Sequence, residues 1–344
     1  MLKSLKIVGL GIATLIIVFA AIIGINYFNT GIKIQKQVSG SSRSVGPVIT
    51  AMSWNIGYAG LGKDSDFVMD GGENLLPPSR EIVEVNLKGI ADILNDHPAD
   101  FYFMQELSKP DMLNMGVDVL GGVRAALTGH SSWFSYDFST RFIPTKWALK
   151  HGLASFMPFN PVNISVLRLP NEPEKLGGVI ERQYHIQATE FNENGRDWAF
   201  LNIHLSAFDE GGNIRVQQFE KLLKIAKAYY ADGKYVVIGG DWNMQLTPTY
   251  FPHSTDLKHL FWLKTLPQED LPSGWQLVFD ASVATARTNY QPYRKGENYT
   301  TIIDGFLVSP NVEVVSVKGI DTDFEFTDHQ PVLAQFTSRL TSRP

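Results

Sequence analysis

Cysteine is absent from the 344-residue chain. Disulfides, zinc–thiolate sites and cysteine nucleophiles are therefore excluded. Positive charge is also in short supply. The chain carries 30 Lys and Arg against 35 Asp and Glu, a formal net charge of -5, and its pI is about 5.9. Tight non-specific binding to DNA or RNA depends on Lys and Arg neutralising phosphates, so the balance argues against it while leaving room for a local basic patch. No internal repeat or low-complexity tract follows residue 48. What remains is 44% apolar and 19% charged, the composition of a globular chain with a sizeable core. The length suits one large domain or two medium ones.

The N-terminus departs from that average. Lys3 and Lys6 precede a stretch, Ile7 to Ile25, with no charged residue, and Tyr27 and Phe28 follow it. Such a run spans a bilayer with some tilt, and aromatic residues favour its edges. A cleaved signal peptide is the alternative, with Val18-Phe19-Ala20 as the cut site, but the apolar run continues beyond it. The expectation is a single-pass signal anchor over residues 1–28 in the cell membrane, with the bulk of the chain extracytoplasmic; secretion after cleavage is the second reading. Residues 29–47 are small and polar around Ser39-Gly-Ser-Ser-Arg-Ser44 and close on Gly46-Pro47, as a flexible tether does. A single folded domain is expected over 48–344.

Within it, Val48–Asn55 reads as a strand and residues 80–96 as an amphipathic helix that Pro98 follows. Residues 100–105 form the next strand. Residues 130–150 read as irregular and aromatic-rich. Strand-like runs follow at 152–157, 164–169, 183–191 and 198–205. Residues 213–231 carry the apolar stripe of a helix. Residues 235–239 are a short apolar run of the kind buried on both faces, broken by Gly239-Gly240. Residues 244–280 are poorly periodic, and strands at 301–308, 312–318 and 332–336 close the chain. This order is not the βαβα alternation of a parallel sheet. It predicts an α/β (α+β) fold of two mixed sheets packed face to face with helices outside.

Polar residues collect where those strands end: Asn55, Glu106, His204, Asp241, Asn243, Asp304, Asp328 and His329. Each alone has a bland reading as a turn residue, a solvated carboxylate or a structural histidine. Eight together, each at a strand terminus where a rigid scaffold presents function, point to one site. Carboxylates and carboxamides suit Mg²⁺, with Mn²⁺ or Ca²⁺ as alternatives, and there are no thiols or histidine triplets for zinc.

The segments Ser53-Trp-Asn55, Met104-Gln-Glu106-Leu, Asn202-Ile-His204-Leu, Gly239-Gly-Asp241-Trp-Asn243, Ile303-Asp304-Gly-Phe and Thr327-Asp328-His329-Gln-Pro resemble, in order, the motifs of the endonuclease/exonuclease/phosphatase (DNase I-like) superfamily. The resemblance covers roughly residues 48–337. It implies a four-layer α/β/β/α sandwich and metal-dependent hydrolysis of a phosphodiester or phosphomonoester. By position it makes Glu106 the principal metal ligand, with Asn55 beside it and Asp328 on the metal or its water. Asp241 resembles the residue that orients or deprotonates the attacking water, and Asn243 the one holding the water or the scissile phosphate. His204 and His329 resemble the pair flanking the phosphate, and Asp304 the carboxylate that orients one histidine. Arg287 is a candidate substrate contact.

The superfamily acts on several substrates: lipid headgroups, small phosphoesters and nucleic acid. A nuclease would need Arg141, Lys146, Lys150, Arg287, Arg294 and Lys295 to converge into a cationic groove. A lipid phosphodiesterase is favoured by the apolar N-terminus and by aromatic residues in 133–147 and 251–262, if these form a membrane-facing rim rather than a core packed under long loops. A non-catalytic binding relative is a third possibility, weakened because no catalytic position is lost. A monomer is expected.

Overall fold

A computed structural model describes residues 2–28, 32–38, 44–140, 143–172, 182–193, 195–207, 209 and 211–339. The chain opens with helix α1 (Leu2–Phe28) and strands β1 (Ile34–Gln37) and β2 (Val48–Asn55). Helix α2 (Arg80–Asp96), strand β3 (Phe101–Ser108), helix α3 (Val119–Ala126) and strands β4 (Ser131–Ser139) and β5 (Lys150–Met157) follow. Strands β6 (Asn163–Arg168), β7 (His185–Glu193) and β8 (Arg196–His204) precede helix α4 (Asn213–Ala231) and strand β9 (Tyr235–Asp241). The chain ends with β10 (Gln276–Val278), β11 (Ala286–Arg287), β12 (Thr300–Thr301), β13 (Asp304–Val308), β14 (Val312–Gly319) and β15 (Val332–Ser338).

Two mixed sheets result. One has seven strands in the order β1-β4-β5-β3-β2-β15-β14, the other six in the order β10-β13-β9-β8-β7-β6. Most pairs are antiparallel, but β2–β3 and β8–β9 are parallel. The helices that follow β2 and β8 in sequence make those two crossovers.

Three apolar clusters stack these elements into layers. Phe101, Phe103, Trp133, Phe200, Phe306 and Phe336 fill the space between the sheets. Phe103 stacks on Phe200 with ring centroids 5.5 Å apart. The outer face of the first sheet packs on α2 and α3 through Val83, Ile90, Val119 and Val123. The outer face of the second packs on α4 through Phe219, Leu222 and Ala226. Each valine, leucine, isoleucine or phenylalanine among them contributes about 1.5–3 kcal/mol when fully buried. The order helix, sheet, sheet, helix is the expected four-layer sandwich. Strand β3 is buried along its whole length, because both its faces are covered. Helix α2 starts where the Ser79 side chain accepts a hydrogen bond from the Ile82 N–H, and α3 where Asp118 accepts from the Gly121 N–H.

Several local expectations are corrected. Residues 131–139 are not irregular but form β4 at full strand length; Ser135 falls among buried aromatics because it faces the polar seam between the sheets, and Ser132 because it accepts from Arg124 of α3. Part of the expected tether, Ile34–Gln37, is instead the edge strand β1, paired with β4 from Ile34 opposite Ser135 to Gln37 opposite Ser132. The Ser39–Arg43 part of that tether lies outside the described residues. Helix α3 was not legible because two of its residues are glycines. Gly122 lets it close on α2: a Cβ there would lie 2.7 Å from a Leu87 methyl. The strand at 235 does not break at its glycines but continues through them to Asp241. Gly240, at φ 153, passes so near β8 that a Cβ would lie 2.0 Å from the Ile203 carbonyl oxygen.

Helix α1 contains one segment, Lys6–Ile25, long and apolar enough to cross a membrane, and none of it is buried against the rest of the chain.

Candidate active site

Strand register, rather than loop packing, sets the centre of the site. His204 on β8 lies opposite Asp241 on β9, which lies opposite Asp304 on β13. Three of the expected residues thus stand in one line across the second sheet. The first sheet delivers Asn55 at the end of β2, Glu106 near the end of β3, and Asp328 and His329 just before β15. The sheets are tied close by through buried polar groups. Gln105 Nε2 donates to Asn202 Oδ1 at 2.8 Å, and Asn202 Nδ2 donates to the Ala154 carbonyl at 3.0 Å.

Two site residues hold left-handed backbone, Glu106 at φ 56 and Asn243 at φ 49. For non-glycine residues this carries strain that surrounding contacts must hold. At Glu106 the strain coincides with a bulge in the β3–β5 register between Met104 and Leu107. The bulge turns the carboxylate into the site. At Asn243 a short turn closes on Asp241: the Asn243 N–H donates to Asp241 Oδ1 at 2.8 Å, and Asn243 Nδ2 donates to the Leu205 carbonyl at 2.8 Å.

Asp241 is the hub. Its Oδ2 accepts from Asn55 Nδ2 at 3.0 Å. The same oxygen lies 3.5 Å from His204 Nε2 and 3.8 Å from His329 Nε2. Burial and then the nearby Asp304 carboxylate push the Asp241 carboxyl up to about 7. His329 Nδ1 bonds Asp304 Oδ2 at 2.9 Å. Burial opposes charge on His329, but Asp304 and Asp241 outweigh it and hold its imidazolium well above the ordinary range. His204 goes the other way. Burial and the Arg182 guanidinium drive it well below the ordinary range, so it is neutral near pH 7. One histidine is a proton donor and the other a proton acceptor.

The acidic residues crowd one another. Glu106 is raised first by burial and further by Asp328. Asp70, in the loop after β2, is pushed up to about 7 by burial, then Asp328, then Glu106. Crowded carboxylates of this kind, two of them buried and Asp70 half-buried, are a donor set suited to a cation. Ligand atoms of Asp241, Asp304 and His329 also lie within 4.8 Å of one another. There the hydrogen bond between Asp304 and His329 already accounts for the closeness.

Eight of the nine expected residues line a single cavity of about 390 Å³; the ninth, Asp304, stands behind His329. Arg287 is in the lining, but its fork is turned to the protein. Its Nη2 donates to the Leu61 and Gly62 carbonyls at 3.2 and 2.8 Å, and its Nη1 donates to the Thr288 carbonyl and to Asn289 Oδ1. Burial lowers it to about 10. It braces the loop after β2 while lining the cavity. Asn289 in turn donates to Asp328 Oδ2 at 2.7 Å.

Sequence reasoning missed a second cluster. Arg182, just before β7, places Nε 3.0 Å from Asp137 Oδ2 and Nη2 3.4 Å from Glu106 Oε1. Its Nη2 also donates to the Tyr58 hydroxyl at 2.9 Å. Asp137 bonds His151 Nδ1 at 2.8 Å. Burial alone would raise Asp137; Arg182 and His151 outweigh it and hold that carboxyl well below the usual range. None of these four residues sits in a recognisable motif; Arg182, Asp137 and His151 are brought together by the β4–β5–β7 layout, and Tyr58 joins them from the loop after β2.

The opposite wall is apolar, with Leu61, Phe67, Leu75, Met112, Leu113 and Leu149 among the lining. Among the described residues, Arg182 and Arg287 are the cavity's two arginines, and no lysine lines it. Of the other residues a cationic groove would need, Arg141 lies outside the described residues. The aromatic stretches are divided. Trp133 and Phe134 are core, whereas Trp147 and Phe261 are exposed and Phe138 and Trp262 line the cavity. Phe142 lies outside the described residues.

The sequence model of the Endonuclease/Exonuclease/phosphatase family matches residues 52–329. The chain belongs to this family. No curated protein sequence matches it significantly. Several solved structures share its fold. Truncated TDP2 from Caenorhabditis elegans is 17% identical, with a TM-score of 0.55, over 85% of this chain and 98% of that one. An endonuclease/exonuclease/phosphatase from Beutenbergia cavernae is 17% identical, with a TM-score of 0.56, over 85% and 72%. ANGEL2, a 2',3'-cyclic phosphatase in complex with adenosine-2',3'-vanadate, is 14% identical, with a TM-score of 0.55, over 90% and 100%.

Proposed function

We propose that the chain is a divalent-metal-dependent phosphoesterase that hydrolyses the phosphoester of a lipid or other small molecule bearing an apolar group. The observation that carries this reading is a single cavity in which the Asp241, His204 and His329 cluster faces a wall of leucine, methionine and phenylalanine. Glu106, Asp328 and Asn55 would hold the ion. Mg²⁺ suits their oxygen donors, and Mn²⁺ or Ca²⁺ would fit the same chemistry. When bound, the ion draws negative charge off the phosphoryl oxygens. Its identity rests on the donor types alone.

The protein's own groups supply the proton transfers. Asp241 Oδ2 sits between two imidazole nitrogens and accepts the proton of the attacking water. Neutral His204 accepts a hydrogen bond from that water or from a protonated oxygen. Charged His329, held so by Asp304, stabilises the phosphoryl oxygens and protonates the departing alkoxide. Asn243 fixes the position of Asp241 through its N–H. Arg182 aims Glu106.

Helix α1 is assigned as a single membrane anchor, with the 48–344 domain on the outer side. A nuclease is the second reading, since the family includes such enzymes. It is less well supported, because both cavity arginines are committed to internal partners and the chain is acidic.

Mg²⁺-dependent release of product from bis-p-nitrophenyl phosphate, DNA and sphingomyelin, assayed in parallel with and without chelator, tests the proposal. Hydrolysis of the small or lipid ester that chelation abolishes is expected. Preferential cleavage of DNA would favour the nuclease, and inactivity on all three with metal present would favour a binding role.

A further inference from the structure

The position of β1 bears on where the substrate comes from. Strand β1 pairs antiparallel with β4, its first residue, Ile34, opposite Ser135 and its last, Gln37, opposite Ser132. Gln35 is held further by a 3.1 Å hydrogen bond from its Nε2 to the Tyr136 hydroxyl. Strand β4 runs toward the site: Phe138 and Ser139 pair with His151 and Lys150, and both Phe138 and His151 line the cavity. The antiparallel partner therefore begins at the cavity end of the sheet and runs away from it. Helix α1 ends at Phe28 and β1 starts at Ile34. That interval spans at most about 20 Å of fully extended chain. The apolar helix is thus joined to the domain by a short lead at the edge of the sheet end that holds the site.

The surface at that end has an unusual composition. Val68, Leu76, Trp147 and Phe261 are 42%, 38%, 59% and 47% exposed. Each lies within two residues of a side chain lining the cavity, namely Met69, Leu75, Leu149 and Trp262. They come from three separate loops that also line the cavity, and together they make an apolar rim to it. Lys146 Nζ lies 4.3 Å from the centre of the Trp147 ring. A Trp–Lys pair of this kind suits a bilayer surface, where the ring enters the headgroup layer and the ammonium meets lipid phosphates.

We propose that this rim is a membrane-docking surface. The mouth of the cavity rests on the bilayer that α1 crosses, and a membrane-resident phosphoester enters it directly, its apolar part on the wall of Leu61, Phe67, Met112 and Leu149. The proposal rests on the phosphoesterase reading and narrows it to lipid substrates taken from the anchoring membrane. It explains why an apolar wall borders a charged centre, and why the anchor joins the sheet at the strand end that holds the site.

The full chain is reconstituted into phosphatidylcholine vesicles containing some phosphatidylglycerol. Two Mg²⁺-dependent rates are read: p-nitrophenol release from water-soluble bis-p-nitrophenyl phosphate, and from a p-nitrophenyl phosphodiester lipid embedded in the bilayer. The rim variant Val68→Ser, Leu76→Ser, Trp147→Ser, Phe261→Ser changes only exposed side chains. It should lower the lipid rate at least about tenfold and leave the soluble rate within about twofold. Equal effects on both rates, or none on either, overturn the docking. So does a variant that changes only the oligomeric state in detergent, which would assign the rim to a second copy of the chain. A parent inactive on both probes overturns the phosphoesterase reading and the lipid substrate with it. Docking is then judged separately, from the emission difference between the parent and Trp147→Phe. Lipids brominated near the headgroup should quench that difference, and its persistence rules docking out.

Discussion

The Asp304–His329 pair makes the sharpest demand on the mechanism. Replacing Asp304 by Asn keeps the shape and the hydrogen bond to His329 Nδ1, now 2.9 Å, but removes the negative charge. With contacting atoms at that distance the charge centres are roughly 4 Å apart, and at an effective dielectric near 20 their attraction is about 4 kcal/mol. Losing that attraction should lower the pKa of His329 in Asp304→Asn. A proton donor charged at neutral pH becomes mostly neutral, and turnover at pH 7 should drop by roughly 10² to 10⁴. The sign for stability follows from the same shift. His329 in the folded protein titrates above its unfolded value. The stability it contributes is complete below about pH 6.5 and is lost as pH rises through the raised folded value. The variant should therefore be destabilised more at about pH 6 than at about pH 10. The His329 ring proton followed by NMR against pH gives the first number, and urea unfolding at the two pH values gives the second. A His329 titration unchanged by the substitution would refute the pairing argument, whatever happened to the rate.

Other outcomes follow from neighbouring contacts. His204→Ala and His329→Ala should each lower turnover by about 10² or more with unchanged circular dichroism; a variant with near-normal turnover would remove that histidine from the mechanism. Arg182→Met leaves Asp137 buried without its cation and should cost about 3–5 kcal/mol in urea unfolding, with much of it recovered in Arg182→Met/Asp137→Asn; equal losses in both variants would count against the pairing. Gly240→Ala places a methyl against the Ile203 carbonyl and should cost roughly 4 kcal/mol or more, read as a lowered midpoint of unfolding. Asp241 and Asp70 both titrate near 7 when folded, so the metal-free fold takes up protons that the unfolded chain releases between about pH 4 and 7, and loses stability as pH rises through that window. Millimolar Mg²⁺ should then raise the melting temperature more at about pH 8 than at about pH 5, and an equal gain at both would contradict the crowding of carboxylates.

Much of this was legible in the sequence, for a physical reason. A strand buried on both faces is a short apolar run, and a residue that must face solvent or substrate interrupts it. That is why β2, β8 and β9 announced Asn55, His204 and Asp241. The helices α2 and α4 were read to their ends because their apolar stripes repeat with helical period. Strand β4 escaped because Ser132 and Ser135 break its apolar run; both are buried, and Ser135 sits in the polar seam bonded to His185. Its polarity answers a partner in the other sheet, which no local pattern records. Arg182 and Asp137 were invisible for the same reason. Their charges make sense only after β4 and β7 are side by side. The inward bonds of Arg287 to Leu61 and Gly62 were not legible, because a local motif says nothing about which carbonyls a loop will turn inward.

The line His204–Asp241–Asp304 has a consequence for how such an enzyme can change. These residues are neighbours across hydrogen-bonded strands, so their separations are multiples of a fixed ladder spacing near 4.8 Å. Nothing short of a register slip alters them, and a slip by one residue turns every side chain on that strand to the other face. The reacting groups are thus cut to a grid that offers no intermediate settings. Change in what the protein accepts must come through the segments off the grid: the loop after β2, the 140–149 connection and the stretch after β9. These can lengthen, shorten or trade a leucine for a lysine while the three residues on the grid stay where the sheet puts them.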